Sequence, residues 1–207
     1  MERGTECLVE PLRVHILDDD RHDADQVAAL VAPLGGMPVL HHGIDAFVEA
    51  AMRDTMACLI VEQVLATGTG LAAQRELARR ACRLPLILLS RRPTLGSALA
   101  AMRAGALDYL ERPIDPALLA AAFAAARLHV RSVAGQSRSA ARLALLTPRE
   151  HDIFLRLAIG TSTKMIAHEL GLASRTVEHG RARILRKLDV TSLAAATRLA
   201  LEAGVID

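Results

Sequence analysis

Hydrophobic positions in the first 130 residues follow two alternating periods. Short apolar runs at 14–17, 57–61, 86–89 and 107–110 have the continuous character of strands buried on both faces. Between the first two, Val27, Leu30, Val31 and Leu34 recur at helical spacing, and Gly35-Gly36 closes that helix. The same patterning predicts a short strand at 38–41 and helices over 44–53, 71–82, 95–104 and 116–131. Strict alternation of strand and helix predicts a (βα)5, doubly wound α/β unit with a parallel sheet covered on both faces. Residues 132–146, which include Ser-Val-Ala-Gly-Gln-Ser-Arg-Ser, predict a linker made partly helical by its arginines.

The rear segment, 147–207, predicts four helices. Thr147-Pro148-Arg149-Glu150 carries an N-cap, a proline at the first helical position and the glutamate of a capping box. That helix should run to about 158, with Ile153, Phe154 and Leu157 inward. Helices near 163–170, from Ser174 as cap to 188, and from Thr191 or Ser192 to 203 follow. The second and third, joined through Gly171-Leu172-Ala173-Ser174, fit a helix-turn-helix. Val177, Ile184 and Leu188 share its packing face, leaving Arg175, Glu178, His179, Ala182, Arg183, Arg186 and Lys187 outward, where base edges and phosphates are met.

Charge sharpens this division. Residues 1–126 carry 12 Lys and Arg against 16 Asp and Glu, whereas 127–146 carry four arginines and no acid. Residues 147–207 carry nine bases against seven acids, so only the rear half is suited to a polyanion. Only 2% of residues are aromatic, which argues against a stacking platform for single-stranded nucleic acid. The three cysteines, Cys7, Cys58 and Cys82, have no metal-like spacing, and no secretory leader is evident, which predicts a reduced, cytoplasmic setting. Cys58 lies in a core strand and is read as a packed thiol. No uninterrupted apolar run approaches the ~20 residues of a membrane helix.

Groups just beyond the carboxyl ends of parallel strands converge on one crevice. Here these are Asp18 and Asp19, Glu62, Ser90, and Arg112-Pro113. That constellation resembles the receiver domain of bacterial response regulators. Behind it, Leu146-Thr147-Pro148-Arg149-Glu150, Lys164-Met165-Ile166-Ala167, Ser174-Arg175-Thr176-Val177-Glu178 and Lys187-Leu188 resemble a LuxR-type DNA-binding domain. The whole chain is similar to the NarL/FixJ family. The resemblance implies a 2-1-3-4-5 sheet over residues 1–131 and an all-α, four-helix output domain over 147–207. It also implies double-stranded promoter DNA as partner, a homodimer formed through the face bearing Leu95, Leu99 and Met102, and a histidine kinase or other protein as input.

In receivers, an aspartate at the position of Glu62 accepts phosphate. The resemblance assigns Asp18 and Asp19 to Mg²⁺, Ser90 to the switch hydroxyl and Tyr109 to the switch aromatic. Three positions depart: Glu62 replaces the acceptor, Arg112 replaces a lysine, and Ala66 replaces a proline, which predicts a looser loop. A permanent Glu62–Arg112 pair, with Ser90 as a further donor, would imitate part of a phosphorylated state. Lacking a cation, the clustered acids should show raised pKa values. No cofactor is required on this reading, Mg²⁺ being the one the resemblance suggests. The fixed state is expected to be competent for DNA. Carried over by position, Glu178, His179 and Ala182 face bases, while Lys164, Ser174, Arg175, Thr176, Arg181, Arg183 and Lys187 hold phosphates and the helix start. His179-Gly180 stands where the family carries a valine-histidine pair.

Two competing readings belong to other classes. One is a protein-interaction module that docks a kinase or other partner, or a regulator that still accepts phosphate weakly. The other is a metal-dependent hydrolase built on Asp18, Asp19 and Glu62. An enzyme is disfavoured, because no Ser or Cys nucleophile with a paired base appears and the helix-turn-helix would go unexplained.

Overall fold

A computed structural model describes residues 11–66 and 68–206. Cys7, read above with the other cysteines, lies outside them. The chain divides between Arg131 and Ser132 into two compact units.

In the first unit, β1 (Leu12–Leu17), β2 (Gly36–His41), β3 (Ala57–Glu62), β6 (Leu86–Ser90) and β7 (Asp108–Glu111) form one parallel sheet. Their order is β2-β1-β3-β6-β7, the expected 2-1-3-4-5 arrangement once two extra strands are set aside. Those two, β4 (Val64–Leu65) and β5 (Gly68–Thr69), form an antiparallel hairpin that the apolar pattern did not suggest. The helices are α1 (Arg21–Val31), α2 (Ile44–Arg53), α3 (Gly70–Arg79), α4 (Leu95–Arg103) and α5 (Pro116–Leu143), whose residues from Ser132 onward belong to the second unit.

The period of two along each strand sorts the sheet's faces. Val14, Ile16, Cys58, Ile60, Ile87 and Leu89 meet Val27 and Val31 of α1 and Leu119, Phe123 and Ala126 of α5. Leu17, Leu59, Val61 and Leu88 meet Phe47 and Val48 of α2 and Ala73 and Leu77 of α3. Every residue of β3 is buried, so Glu62 arrives at its end on a fixed rail. Gly70 allows the next helix to start close by, since a Cβ there would stand 2.6 Å from the Glu62 carbonyl oxygen.

Residues 132–143, expected as a linker, continue α5 as regular helix. Their Ala, Gln, Ser and Arg content is compatible with helix, and the single Gly135 does not break it. The extension also changes the membrane reading. Among the described residues α5 is the one helix long and apolar enough to cross a bilayer, by length and composition alone. One face of it, Leu119, Phe123, Ala126 and Val130, packs against the sheet, while most of the helix is not buried.

The second unit contains α6 (Pro148–Ala158), α7 (Thr163–Glu169), α8 (Ser174–Lys187) and α9 (Leu193–Glu202). The Thr147–Glu150 capping box is present, and Ser192 caps α9. Ala173, with no side-chain bond, occupies the cap position of α8, so Ser174 is its first helical residue instead of its cap. Ile153, Phe154 and Leu157 of α6, Ile166 of α7, Val177, Ile184 and Leu188 on or beside α8, and Leu199 of α9 close the core.

Candidate functional site

The strand ends deliver Asp18, Glu62, Ser90 and Arg112 to one crevice, and all four are buried. Arg112 is its hub. Its Nε donates to Glu62 Oε2 at 3.0 Å and its Nη2 to Asp18 Oδ2 at 2.8 Å. A third carboxylate, Asp23 on α1, places Oδ2 at 3.7 Å from the same Nε. Asp23 is itself buried and is bonded by Arg91, whose Nη2 also stands 3.7 Å from Asp20 Oδ2. An open cleft of about 580 Å³ lies beside the hub, lined in part by Asp20, His22, Gln26 and Arg91.

The remaining carboxylate oxygens face backbone donors. Asp18 Oδ1 accepts from the Asp20 N–H at 3.0 Å, and Glu62 Oε1 from the N–H groups of Gln63 at 3.0 Å and Val64 at 3.4 Å. Asp19 turns away to accept from the Ala66 N–H. The loop expected to be slack for want of a proline is therefore tied by that bond and by the β4–β5 pairing. Burial raises the Asp18 and Glu62 carboxyls above the ordinary range, against the lowering effect of Arg112. Repulsion between acids, the cause expected from the sequence, is a minor contributor.

Ser90 departs from its expected role as a donor to Glu62. Among the described residues its hydroxyl oxygen accepts from the Arg92 N–H at 3.2 Å, and no bond to Glu62 is formed. Tyr109 is half-buried, and its hydroxyl donates to Gln63 Oε1 and lies 3.0 Å from Ser97 Oγ. Ser97 completes the Thr94 capping box at the start of α4. Gln63, next to Glu62, is thus joined through Tyr109 to the helix that displays Leu95, Leu99 and Met102 to solvent. Sequence reading missed Asp23, Arg91, Gln63 and Ser97.

The donor set does not fit a divalent cation. Asp18 and Glu62 are committed to a guanidinium and to backbone N–H groups, and Asp19 points elsewhere. Among the described residues no group of three His, Cys, Asp or Glu side chains is arranged to hold a metal. Cys58 is fully buried, and burial pushes its thiol up to about 12, which fits the packed-thiol reading.

On α8, Val177, Gly180 and Ile184 are buried. At 100° per residue the stripe opposite them is Arg175, His179, Ala182 and Arg186, all exposed, with Glu178 beside it. Ser174, Thr176 and Arg181 of α8 and Lys164 on α7 are also exposed. Among the described residues Lys164, Arg175, Arg181 and Arg186 form no ion pair. Arg183 and Lys187 do: Arg183 Nε lies 2.9 Å from Glu150 Oε1 and Lys187 Nζ 2.7 Å from Glu150 Oε2. Lys187 also donates to the Leu145 carbonyl at 3.5 Å. Hydrogen bonds from Lys187 first, then from the Thr147 N–H and hydroxyl, draw the Glu150 carboxyl down to about 2 against the raising effect of burial. Gly180 faces α6, where a Cβ would stand 3.3 Å from Ile153 Cδ1, slightly closer than ordinary contact.

Comparison with known proteins agrees with this division. The response regulator receiver domain matches residues 14–124, and the luxR family of bacterial regulatory proteins matches residues 144–200. The transcriptional regulatory protein FixJ of Azorhizobium caulinodans is 32% identical over 200 residues, 95% of each chain. The solved structure of the response regulator StyR covers 93% of this chain and 99% of its own, at 26% identity and a TM-score of 0.71. Full-length FixJ from B. japonicum covers 96% of this chain and 100% of its own, at 27% identity and a TM-score of 0.53.

Proposed function

This chain belongs to the response regulators that join a receiver domain to a LuxR-family domain, and from that premise we propose that it is a DNA-binding transcription regulator held by an internal ion pair in place of phosphorylation. The observation that carries the second half of this reading is the buried 3.0 Å bond from Arg112 Nε to Glu62 Oε2. Glutamate extends one methylene beyond aspartate and delivers its carboxylate directly to the guanidinium. A phosphoryl group brings a charge of about −1.5 to −2 and three acceptor oxygens, whereas Glu62 brings one charge, and that one is already paired. Attack by Glu62 on a phosphodonor would have to free one carboxylate oxygen, Oε2 from Arg112 or Oε1 from the Gln63 and Val64 N–H groups, in a crevice where unmet charge is costly.

The output end is α8. Arg175, His179, Ala182 and Arg186 form the face that enters the major groove, with Glu178 reaching a base edge and Lys164, Ser174, Thr176 and Arg181 near the phosphates. Arg183 and Lys187 act chiefly within the domain, through Glu150. The exposed apolar side chains Leu95, Leu99 and Met102 on α4 supply a homodimer face. The Gln63–Tyr109–Ser97 chain sets the pose of that face from the Glu62 end of the crevice. With the ion pair permanent, the pose is permanent, and DNA binding is constitutive or answers an input other than phosphate.

Incubation of the full chain with a small phosphodonor, followed by intact-mass analysis, tests the first claim. No phosphoryl adduct is expected on the wild type, and an adduct mapped to Glu62 defeats the reading. Binding to a promoter fragment, falling steeply with salt, tests the second.

A further inference from the structure

We propose that the Arg112 guanidinium serves as the crevice's own cation, so that this receiver unit binds no divalent metal until that side chain is shortened. In an acidic crevice of this kind the carboxylates need a positive charge between them, because three buried acids that remain ionised and unpaired are strongly destabilising. Here the charge is covalently attached. Asp18, Glu62 and Asp23 approach one guanidinium at 2.8, 3.0 and 3.7 Å. A planar guanidinium matches carboxylate oxygens at such distances, whereas Mg²⁺ demands octahedral oxygens at about 2.0–2.1 Å.

The oxygens that do not face Arg112 offer no substitute site. Asp18 Oδ1 and Glu62 Oε1 are turned to backbone N–H groups, and Asp19 is drawn to the Ala66 N–H. A second positive group stands nearby, since Arg91 bonds Asp23 and approaches Asp20. An incoming cation would have to displace the guanidinium and then occupy a site beside it. The inference does not depend on whether Glu62 accepts phosphate, and its test contains no phosphodonor, so the two readings fail separately.

The test is Mn²⁺ binding to the full chain, followed by the electron paramagnetic resonance signal of free Mn²⁺ and by the melting temperature. The wild type should leave the signal and the melting temperature unchanged through about 10 mM, above the range of weak oxygen-ligand sites. Arg112→Ala should bind at least about tenfold more tightly than wild type, with a melting temperature that rises with Mn²⁺. Adding Asp18→Asn to that variant should abolish the gain. Arg112→Lys keeps a positive charge on a slimmer head and should fall between. Mn²⁺ binding by the wild type that Asp18→Asn removes overturns the proposal. So do folded Arg112→Ala and Arg112→Lys proteins that bind no better than wild type. Should the alanine variant fail to fold, the wild-type and lysine measurements still decide.

Discussion

Two acid–base centres in this chain are built in opposite senses. In the receiver unit one guanidinium sits among three carboxylates, and its side chain is only 6% exposed. In the helical unit one buried carboxylate, Glu150, sits between Arg183 and Lys187, whose side chains are 61% and 36% exposed. Burial dominates the first and raises its acids. Direct hydrogen bonding dominates the second and lowers its acid to about 2. A hub surrounded by buried opposite charges has no alternative partner when it is lost. A hub surrounded by solvated charges leaves them to water.

Removing each hub should therefore have unequal consequences. Arg112→Ala strands Asp18 and Glu62, leaving Asp23 to Arg91, and a broken buried pair typically costs about 3–5 kcal/mol. Glu150→Ala deletes half of a capping box and frees two bases that water can reach, a loss of about 1–2 kcal/mol. Urea unfolding measures both. Tyr109 is the only tyrosine and there is no tryptophan, so its fluorescence follows the receiver unit alone. Equal losses would mean that the two centres are equally solvated and would dissolve the distinction.

The same contrast separates two bases on α8. Arg175 has no ion pair among the described residues, and Arg175→Ala should lower the salt-dependence slope of DNA binding by about 1. Lys187 is committed to Glu150, and Lys187→Ala should lower the helical unit's melting temperature while leaving that slope nearly unchanged. A slope loss as large for Lys187→Ala as for Arg175→Ala would return Lys187 to the phosphate contacts.

Much of this was legible in the chain because local rules and global architecture coincide. The all-buried run ending at Glu62 could only be a central strand, and Thr147-Pro148-Arg149-Glu150 announces a helix start by its own chemistry. What escaped were residues whose local explanation is already sufficient. Asp23 lies in the first turn of α1, where any acid is favoured, and nothing local shows that its carboxylate reaches Arg112 and Arg91. Lys187 ends a helix, where any base is favoured, and its bond to Glu150 spans 37 residues. His15 passed as one polar position in an apolar run. Its ring is buried, with Nδ1 at 2.8 Å from His41 Nε2 and Nε2 at 2.7 Å from Asp54 Oδ2.

That histidine pair gives the two units different responses to acid. Burial, reinforced by the charge of His15 and then His42, lowers His41 from 6.5 to about 4. A histidine held below its free value takes its proton more readily in the unfolded chain. Its contribution to receiver stability is therefore lost as pH falls from about 6.5 toward 4. Asp18 and Glu62, raised by burial, act in the reverse sense and favour the fold as pH falls. Glu150, lowered to about 2, keeps its contribution to the helical unit until pH drops below about 4.5. Melts at pH 7 and pH 5, with Tyr109 fluorescence for the receiver unit and far-ultraviolet circular dichroism for both, should show the receiver unit weakening first. His41→Asn should flatten that difference. A helical unit that weakens first would reverse the assignment.

The smallest effect concerns the apolar seam of the helical unit, and it asks whether α8 is held by its ion pairs or by its packing. Gly180 lies in the interior of α8, where glycine costs about 0.5–1 kcal/mol relative to alanine. A Cβ at that position would stand 3.3 Å from Ile153 Cδ1, closer than ordinary contact by a few tenths of an ångström. The contacted atom is the far end of an isoleucine side chain, which can swing by that amount if α6 has room. Gly180→Ala should then gain most of the helix propensity and change stability by no more than about 0.5 kcal/mol in either direction. A loss above about 1.5 kcal/mol would show that α6 cannot yield, so that packing at Gly180 positions α8 more firmly than the Glu150 clamp does.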